Sequence, residues 1–284
     1  MTRSLPGLVV AALLLVGCAK GRPAPAGDGR LRIVSLSPAM TQTLFAIGAG
    51  GDIVGRTEYD VYPPEIRAVP AAGTSLSPSY EAIVRLAPTL IVGQATKDAP
   101  RAELERIAPT RLLPWLTVAD ICAGMRELGL LSGHAEAAEA LARRFEAQLS
   151  TPPPAGGRRV LLAMDAPAGR LDEIFYLRQN SIHGACLNAA GARNAMPEPL
   201  LGAPPVLTIE KLIAVDPDAV IVLSARALGP AEKVQILKDW QDLPMLSAVK
   251  HDRVRVVDGT AFYIDGPRML GLVPLLHETL ESMP

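Results

Sequence analysis

Two stretches of this chain, Leu76–Gly93 (LSPSYEAIVRLAPTLIVG) and Val206–Leu223 (VLTIEKLIAVDPDAVIVL), are versions of one pattern. Aligned without gaps, Glu81 meets Glu210, Ile83 meets Leu212, Val84 meets Ile213 and Pro88 meets Pro217, each pair offset by 129 residues. Each copy reads as a Ser or Thr cap, a short helix with an outward acid, a Pro turn, and an apolar run of strand type (Leu90-Ile91-Val92 and Val220-Ile221-Val222). A unit that occurs twice, far apart, does not make a solenoid. It predicts two similar lobes.

Between the copies lies SGHAEAAEALARRFEAQLS, Ser132–Ser150. Ala138, Leu141, Ala142, Phe145 and Leu149 form one apolar stripe at helical spacing. Ala, Glu, Leu, Arg and Gln dominate the segment, all strong helix formers. Ser132 offers an N-cap, and Thr151 followed by Pro152-Pro153-Pro154 forbids continuation. About 15 helical residues give a rod roughly 22 Å long. The organisation expected is an N-terminal lobe over 31–131, this helix over 132–151, and a C-terminal lobe over 152–284.

The chain opens with Met1-Thr2-Arg3 and an apolar run from Leu8 to Val16, too short to span a bilayer and typical of a secretory signal over 1–17. Leu15-Val16-Gly17-Cys18 resembles the lipobox of bacterial lipoproteins, which implies that Cys18 is acylated and becomes the mature N-terminus. Residues 18–30, rich in Ala, Gly and Pro, read as a flexible tether. Loss of the first 17 of 284 residues leaves 267, enough for two ordinary lobes. The formal net charge is −1 and no basic run with interleaved aromatics occurs, which argues against a nucleic-acid partner. Cys122 and Cys186 fall in different lobes and read as two separate buried thiols.

Strands and helices alternate along both halves. Leu31–Leu36 reads as a strand running into a helix capped at Ser37-Pro38, and Gly48–Gly51 closes that helix instead of cradling a phosphate. Asp52–Arg56 is a second strand, followed by the loop Thr57–Pro64 with Tyr59, Tyr62 and two acids. Helices are expected at Ala102–Ile107 and Val118–Leu128. The second half restarts with a strand at Arg159–Met164 and another at Asp172–Leu177. A helix at Ser181–Ala190, the Pro/Gly-rich loop Met196–Val206 and a helix at Ala231–Asp239 follow. The strand Arg253–Val257, the loop Asp258–Gly266 with Phe262 and Tyr263, and a closing helix Pro267–Glu281 end the chain. The fold class is α/β: two Rossmann-like lobes with mostly parallel, doubly wound sheets joined by one long helix. Catalysis is not expected. The four His (134, 183, 251, 277) show no metal-ligand spacing and no G-x-S-x-G elbow occurs. Asp165, Asp172 and Glu173 read as solvated loop acids.

The chain resembles the substrate-binding proteins of ABC importers in the class whose lobes are joined by a single helix, and within it the periplasmic cobalamin-binding proteins. Residues Ile33–Pro38 with Thr41, Val54-Gly55 with Tyr59 and Tyr62-Pro63-Pro64, Ser181-Ile182, Gly191–Asn194, Gly266-Pro267-Arg268 and both repeat copies carry the resemblance. It implies an extracytoplasmic, lipid-anchored monomer that hands a ligand to a dimeric permease with its ATPase, without a cofactor of its own. It further implies that Glu81 and Glu210 dock onto Arg residues of the two permease subunits. Ligand contacts are implied at Tyr59, Ser75, Gln94, Pro204, Phe262 and Tyr263. The departure lies in tryptophan: the chain has two, Trp115 and Trp240, neither read as lying on a cleft loop, and Ser75, Gln94 and Pro204 stand where the family tends to place Trp. A corrinoid is the ligand expected, with haem or a ferric siderophore as the alternative and a lipid-anchored protein-binding scaffold as the rival from another class.

Overall fold

The computed structural model describes residues 29–164, 171, 174–196 and 205–284. The first half comprises β1 (Ile33–Ser35), α1 (Pro38–Ala46), β2 (Ile53–Gly55), α2 (Tyr80–Arg85), β3 (Leu90–Gln94), α3 (Arg101–Glu105), β4 (Thr110–Leu113) and α4 (Val118–Ser132). Helix α5 (Ala135–Leu149) follows. The second half comprises β5 (Arg159–Met164), β6 (Ile174–Phe175), α6 (Ile182–Ala189), β7 (Arg193–Asn194), β8 (Val206–Leu207), α7 (Ile209–Val215), β9 (Ala219–Ser224), α8 (Pro230–Gln241), α9 (Ser247–Lys250), β10 (Val254–Asp258) and α10 (Leu272–Glu281).

Each half carries a four-stranded sheet, ordered β2-β1-β3-β4 and β10-β9-β5-β7, with every pairing parallel. Strands covered by helices on both faces are buried on both, so they read as unbroken apolar runs. Ile33-Val34, Leu90–Val92, Val160–Ala163 and Ala219–Leu223 are all buried. The order of each sheet reverses between its two central strands, β1 and β3 in one and β5 and β9 in the other. A crevice therefore opens at the carboxyl ends of those strands. One correction concerns Asp172–Leu177. Within it β6 pairs antiparallel with β8 in a separate two-stranded ribbon, outside the main sheet.

The joining helix differs from its sequence reading at its start. Ser132 is the last residue of α4, and its hydroxyl donates back to Leu128 O (2.8 Å). Gly133 then takes the left-handed conformation (φ 76°), which ends α4 and reverses the chain. Helix α5 starts at Ala135 with His134 in the cap position. A Cβ on Gly129 would lie 2.2 Å from that of Ala138, so this glycine lets α4 and α5 touch closely. Ala138, Ala142, Phe145 and Leu149 are buried as the stripe predicts, with Leu141 half-buried. A single apolar cluster runs from Ile33 and Val92 of the first sheet through Met125 and Phe145 to Val160 and Ile221 of the second. The closing segment also differs: Pro267–Gly271 is a 3-10 turn and α10 begins at Leu272. Cys122 and Cys186 are buried and free, with burial as the largest cause raising their thiols to about 11 and about 12.

Candidate functional site

At the switch point of the first sheet the chain leaves β1 at Leu36 and β3 at Gln94. A small cavity of about 60 Å³ lies there, lined by Leu36, Ser75, Gly93, Gln94 and Leu104 among others. It brings together Ser75 and Gln94, which are 19 residues apart in the chain. Gly73 makes the turn carrying Ser75 possible: its φ is +88°, and a Cβ there would meet Ser77 O at 2.5 Å. Beside it stands the loop that leaves β2. Thr57 donates from its amide and hydroxyl to Asp60 Oδ2 (2.7 and 2.6 Å), and the Asp60 amide returns a bond to Thr57 O (3.2 Å). This staple puts Tyr59 at the apex of a tight turn, 64% exposed.

Beneath Tyr59 is a buried polar nest of Ser35, Ser37, Thr41, Thr57 and Asp60. Thr41 Oγ1 donates to Ser35 Oγ (2.9 Å), which donates to Ser37 O (3.2 Å). Burial pushes the Asp60 carboxyl up, against the hydrogen bonds from Thr57 that lower it. Ser37 occupies the N-cap position of α1, yet its side chain makes no capping bond. Its Oγ and Asp60 Oδ1 are buried without a hydrogen-bond partner among the described residues. Ser37 is thus the N-cap residue by position, as the sequence predicts, but not by a side-chain bond.

From the second half, the loop after β10 carries Phe262, half-buried, and Tyr263, 43% exposed. His183 of α6 is buried and supports this loop, with Nε2 2.8 Å from Phe262 O and Nδ1 3.7 Å from Asp265 Oδ1. Burial raises the Asp265 carboxyl, with His183 acting in the opposite sense, and burial with the Asp265 charge raises the Tyr263 phenol. Three contacts bring this loop and the 3-10 turn after it against the first half. Trp115 Nε1 donates to Asp265 O (2.7 Å), Arg268 lies 4.1 Å over the Tyr62 ring, and Gly266 lies against Ala39 and Gln42 of α1. Tyr62, not Tyr59, is the tyrosine engaged at the lobe junction.

Trp115 is the contact that sequence reasoning missed. It sits two residues past β4, on the crevice side of the sheet, but its ring is buried against Gly124 and does not wall the crevice. Trp240 is buried in the core of the second half. A larger cavity, about 630 Å³, is lined by Thr117, Glu146 and Ser150 together with Gln179, Ser181 and Asn188. Pro204, Cys18, Asp165, Asp172 and Glu173 lie outside the described residues.

The two copies of the repeated unit fold alike down to single bonds. Ser79 caps α2 by accepting from Ala82 N, and Thr208 caps α7 by accepting from Lys211 N (both 3.4 Å). Glu81 and Glu210 are each the second helical residue and exposed. The Thr208 hydroxyl, first among the causes, holds the Glu210 carboxyl below its ordinary value. Glu81 instead pairs with Arg85 one turn on (3.2 Å), where the second copy has Ala214.

Each unit closes with a left-handed residue before proline, Ala87 (φ 43°) and Asp216 (φ 41°), a conformation uncommon outside glycine. An arginine holds each in place. Arg32 donates to Leu86 O (2.7 Å) and Ala87 O (3.1 Å), and Arg159 donates to Val215 O (3.0 Å) and to Asp216 O. The amides of Arg32 and Arg159 also donate to the side chains of Thr89 (2.9 Å) and Asp218 (2.8 Å). These arginines are 127 residues apart, not 129, so a gap-free alignment of the copies cannot reveal them.

Known proteins are similar to this chain in sequence and in fold. An ABC transporter substrate-binding lipoprotein of Bacillus subtilis (strain 168) is 23% identical, over 96% of this chain and 95% of its own. A vitamin B12-binding protein of Pectobacterium carotovorum is 25% identical over 84% of each chain. The crystal structure of a periplasmic heme binding protein from Pseudomonas aeruginosa, 22% identical, covers 89% of this chain and 94% of its own with a TM-score of 0.70. The family described as periplasmic binding protein matches residues 33–261, from the first strand to the loop after the last. The chain belongs to that family.

Proposed function

We propose that this chain is the extracytoplasmic substrate-binding lipoprotein of an ABC importer. It captures a corrinoid between its halves and delivers it to a dimeric permease with its ATPase. The observation that carries the reading is the pair of matched helices, α2 and α7, each presenting one exposed acid at its second residue. A carboxylate there complements the helix N-terminus, worth about 0.3–1 kcal/mol. That local benefit suits either helix alone but does not call for a matched pair, one per half. A chain with two equivalent acidic surfaces suits a partner that repeats one basic surface by two-fold symmetry.

In this reading Tyr59, Ser75 and Gln94 contact the ligand from one side and Pro204, Phe262 and Tyr263 from the other. The α4–α5 hairpin, packed into a core shared by both halves, restricts closure to a small motion. Cys18 carries the lipid. Haem is the second reading, favoured by the exposed Tyr59 phenol at the crevice, since tyrosine can ligate haem iron. Both Trp are buried, which leaves tyrosine and phenylalanine to face a macrocycle.

Two experiments test the proposal. Absorbance titration with cyanocobalamin and with hemin separates the ligands. A perturbed corrin band supports the first reading, a shifted Soret band lost in Tyr59→Phe supports the second, and no change with either ends both. Separately, Glu81→Lys with Glu210→Lys should leave ligand affinity of the free protein intact while uptake and ATPase stimulation collapse. Uptake that survives the double reversal removes the docking role.

A further inference from the structure

We infer that each docking helix carries an apolar anchor beside its acid: Val84, with Tyr80 one turn before it, near Glu81 on α2, and Ile213 near Glu210 on α7. The partner surface would then offer, twice, a cationic side chain set among apolar ones. This inference rests on the docking role proposed above for the two acids and extends it.

The matches are positional. Tyr80 and Ile209, Glu81 and Glu210, and Val84 and Ile213 all keep the 129-residue offset of the repeat. Within each helix the acid and the Val or Ile are three residues apart, and the two apolar residues are four apart, so Val84 and Ile213 each neighbour both the acid and the other apolar residue on the helix surface. Packing already has its own residues here: Ile83 and Leu212, one position before, are fully buried under their helices. Val84 is nevertheless 58% exposed and Ile213 42% exposed, with Tyr80 at 39%, whereas Ile209 is half-buried against the core of the second half. Helix propensity does not explain them, because β-branched residues are poorer helix formers than the Ala, Lys or Glu that suit an exposed site.

A lone exposed apolar residue is unremarkable. Two of them at the same position of a duplicated unit, each beside the same acid, form a repeated surface, and its occupant is one permease subunit on each half. The chemistry is complementary. An acid–cation pair in open water is weak and screened by salt, whereas apolar neighbours that exclude water strengthen it and add a term that salt does not screen. The anchor matters most at α2, where Arg85 already engages Glu81 and competes with an incoming cation.

The test uses the full-length protein and its permease–ATPase complex in lipid nanodiscs, with Kd measured at about 50 mM and about 500 mM NaCl. The pair Val84→Thr with Ile213→Thr, isosteric at the first position and one carbon smaller at the second, should weaken docking by about tenfold at both salt concentrations. The more polar pair Val84→Asn with Ile213→Asn should weaken it further. Glu81→Gln with Glu210→Gln should lose most at low salt, and melting temperatures should hold because these side chains are exposed. The anchor is overturned if both apolar pairs dock like the wild type while Glu81→Lys with Glu210→Lys does not dock; the role of the acids would then stand. Docking untouched by any variant would remove the acids' role, and the anchor with it.

Discussion

Tyr59 and Asp60 are adjacent and meet opposite fates. Asp60 is buried and stapled to Thr57, and that staple holds Tyr59 outward. A side chain that is 64% exposed contributes little packing, so removing it costs the fold little. Tyr59→Ala is expected to weaken ligand binding about tenfold or more, the scale of losing one aromatic face, with the melting temperature nearly unchanged. Calorimetric titration beside a thermal melt checks this. A melting temperature several degrees lower with unaltered affinity would assign Tyr59 to structure instead. At this scale Ser75 and Gln94 were readable only as names. Their shared cavity depends on the return of the chain from Gly73 to β3, and no local pattern encodes that distance.

Among the elements, α4 and α5 act as one unit. Arg126 on α4 donates to Glu139 (2.6 Å) and Glu146 (2.8 Å) on α5, and Arg143 also reaches Glu139 (2.7 Å). Hydrogen bonds from Arg126 first, then Arg143, hold the Glu139 carboxyl down at about 2, against an ordinary value of 4.5, and Arg126 lowers Glu146 as well. A carboxylate whose folded pKa is depressed stabilises the fold fully above its unfolded pKa and loses that contribution as pH falls through the folded value. The hairpin should therefore weaken between about pH 4.5 and pH 2. Arg126→Ala is expected to lower the melting temperature slightly at pH 7 and to flatten its decline over that acid window. Melts at stepped pH check it, and an acid limb identical to the wild type would show that these surface pairs contribute nothing. The apolar stripe of α5 was legible because its period is local. The start of the helix was not, because Ser132 looks like a cap until Gly133 is seen in the left-handed conformation.

For the whole molecule, no helix among the described residues is long and apolar enough to cross a membrane. Attachment is therefore tested at Cys18. Cys18→Ser should move the protein from the membrane to the soluble fraction with ligand affinity unchanged, as cell fractionation and titration would show. Protein still membrane-bound after that change would remove the lipid from the proposal. Within 31–284, both parallel sheets and their alternation with helices followed from the order of apolar runs and caps. So did the duplication, because a repeated unit leaves its mark at fixed spacing.

What the sequence determined by itself is whatever depends on neighbours along the chain: the period of α5, the Ser79 and Thr208 caps, the acids two residues past them, and the buried strands that follow. The tertiary structure alone decided what depends on distance through space. It set Trp115 against Asp265 across 150 residues, and Arg268 over Tyr62. It placed Arg32 and Arg159 over the ends of the two matched helices, where they hold Ala87 and Asp216 in a backbone shape those residues disfavour. Such contacts have no period and no fixed offset. They arise when two sheets bury their faces against a shared hairpin, and the geometry of that burial is written in no single segment.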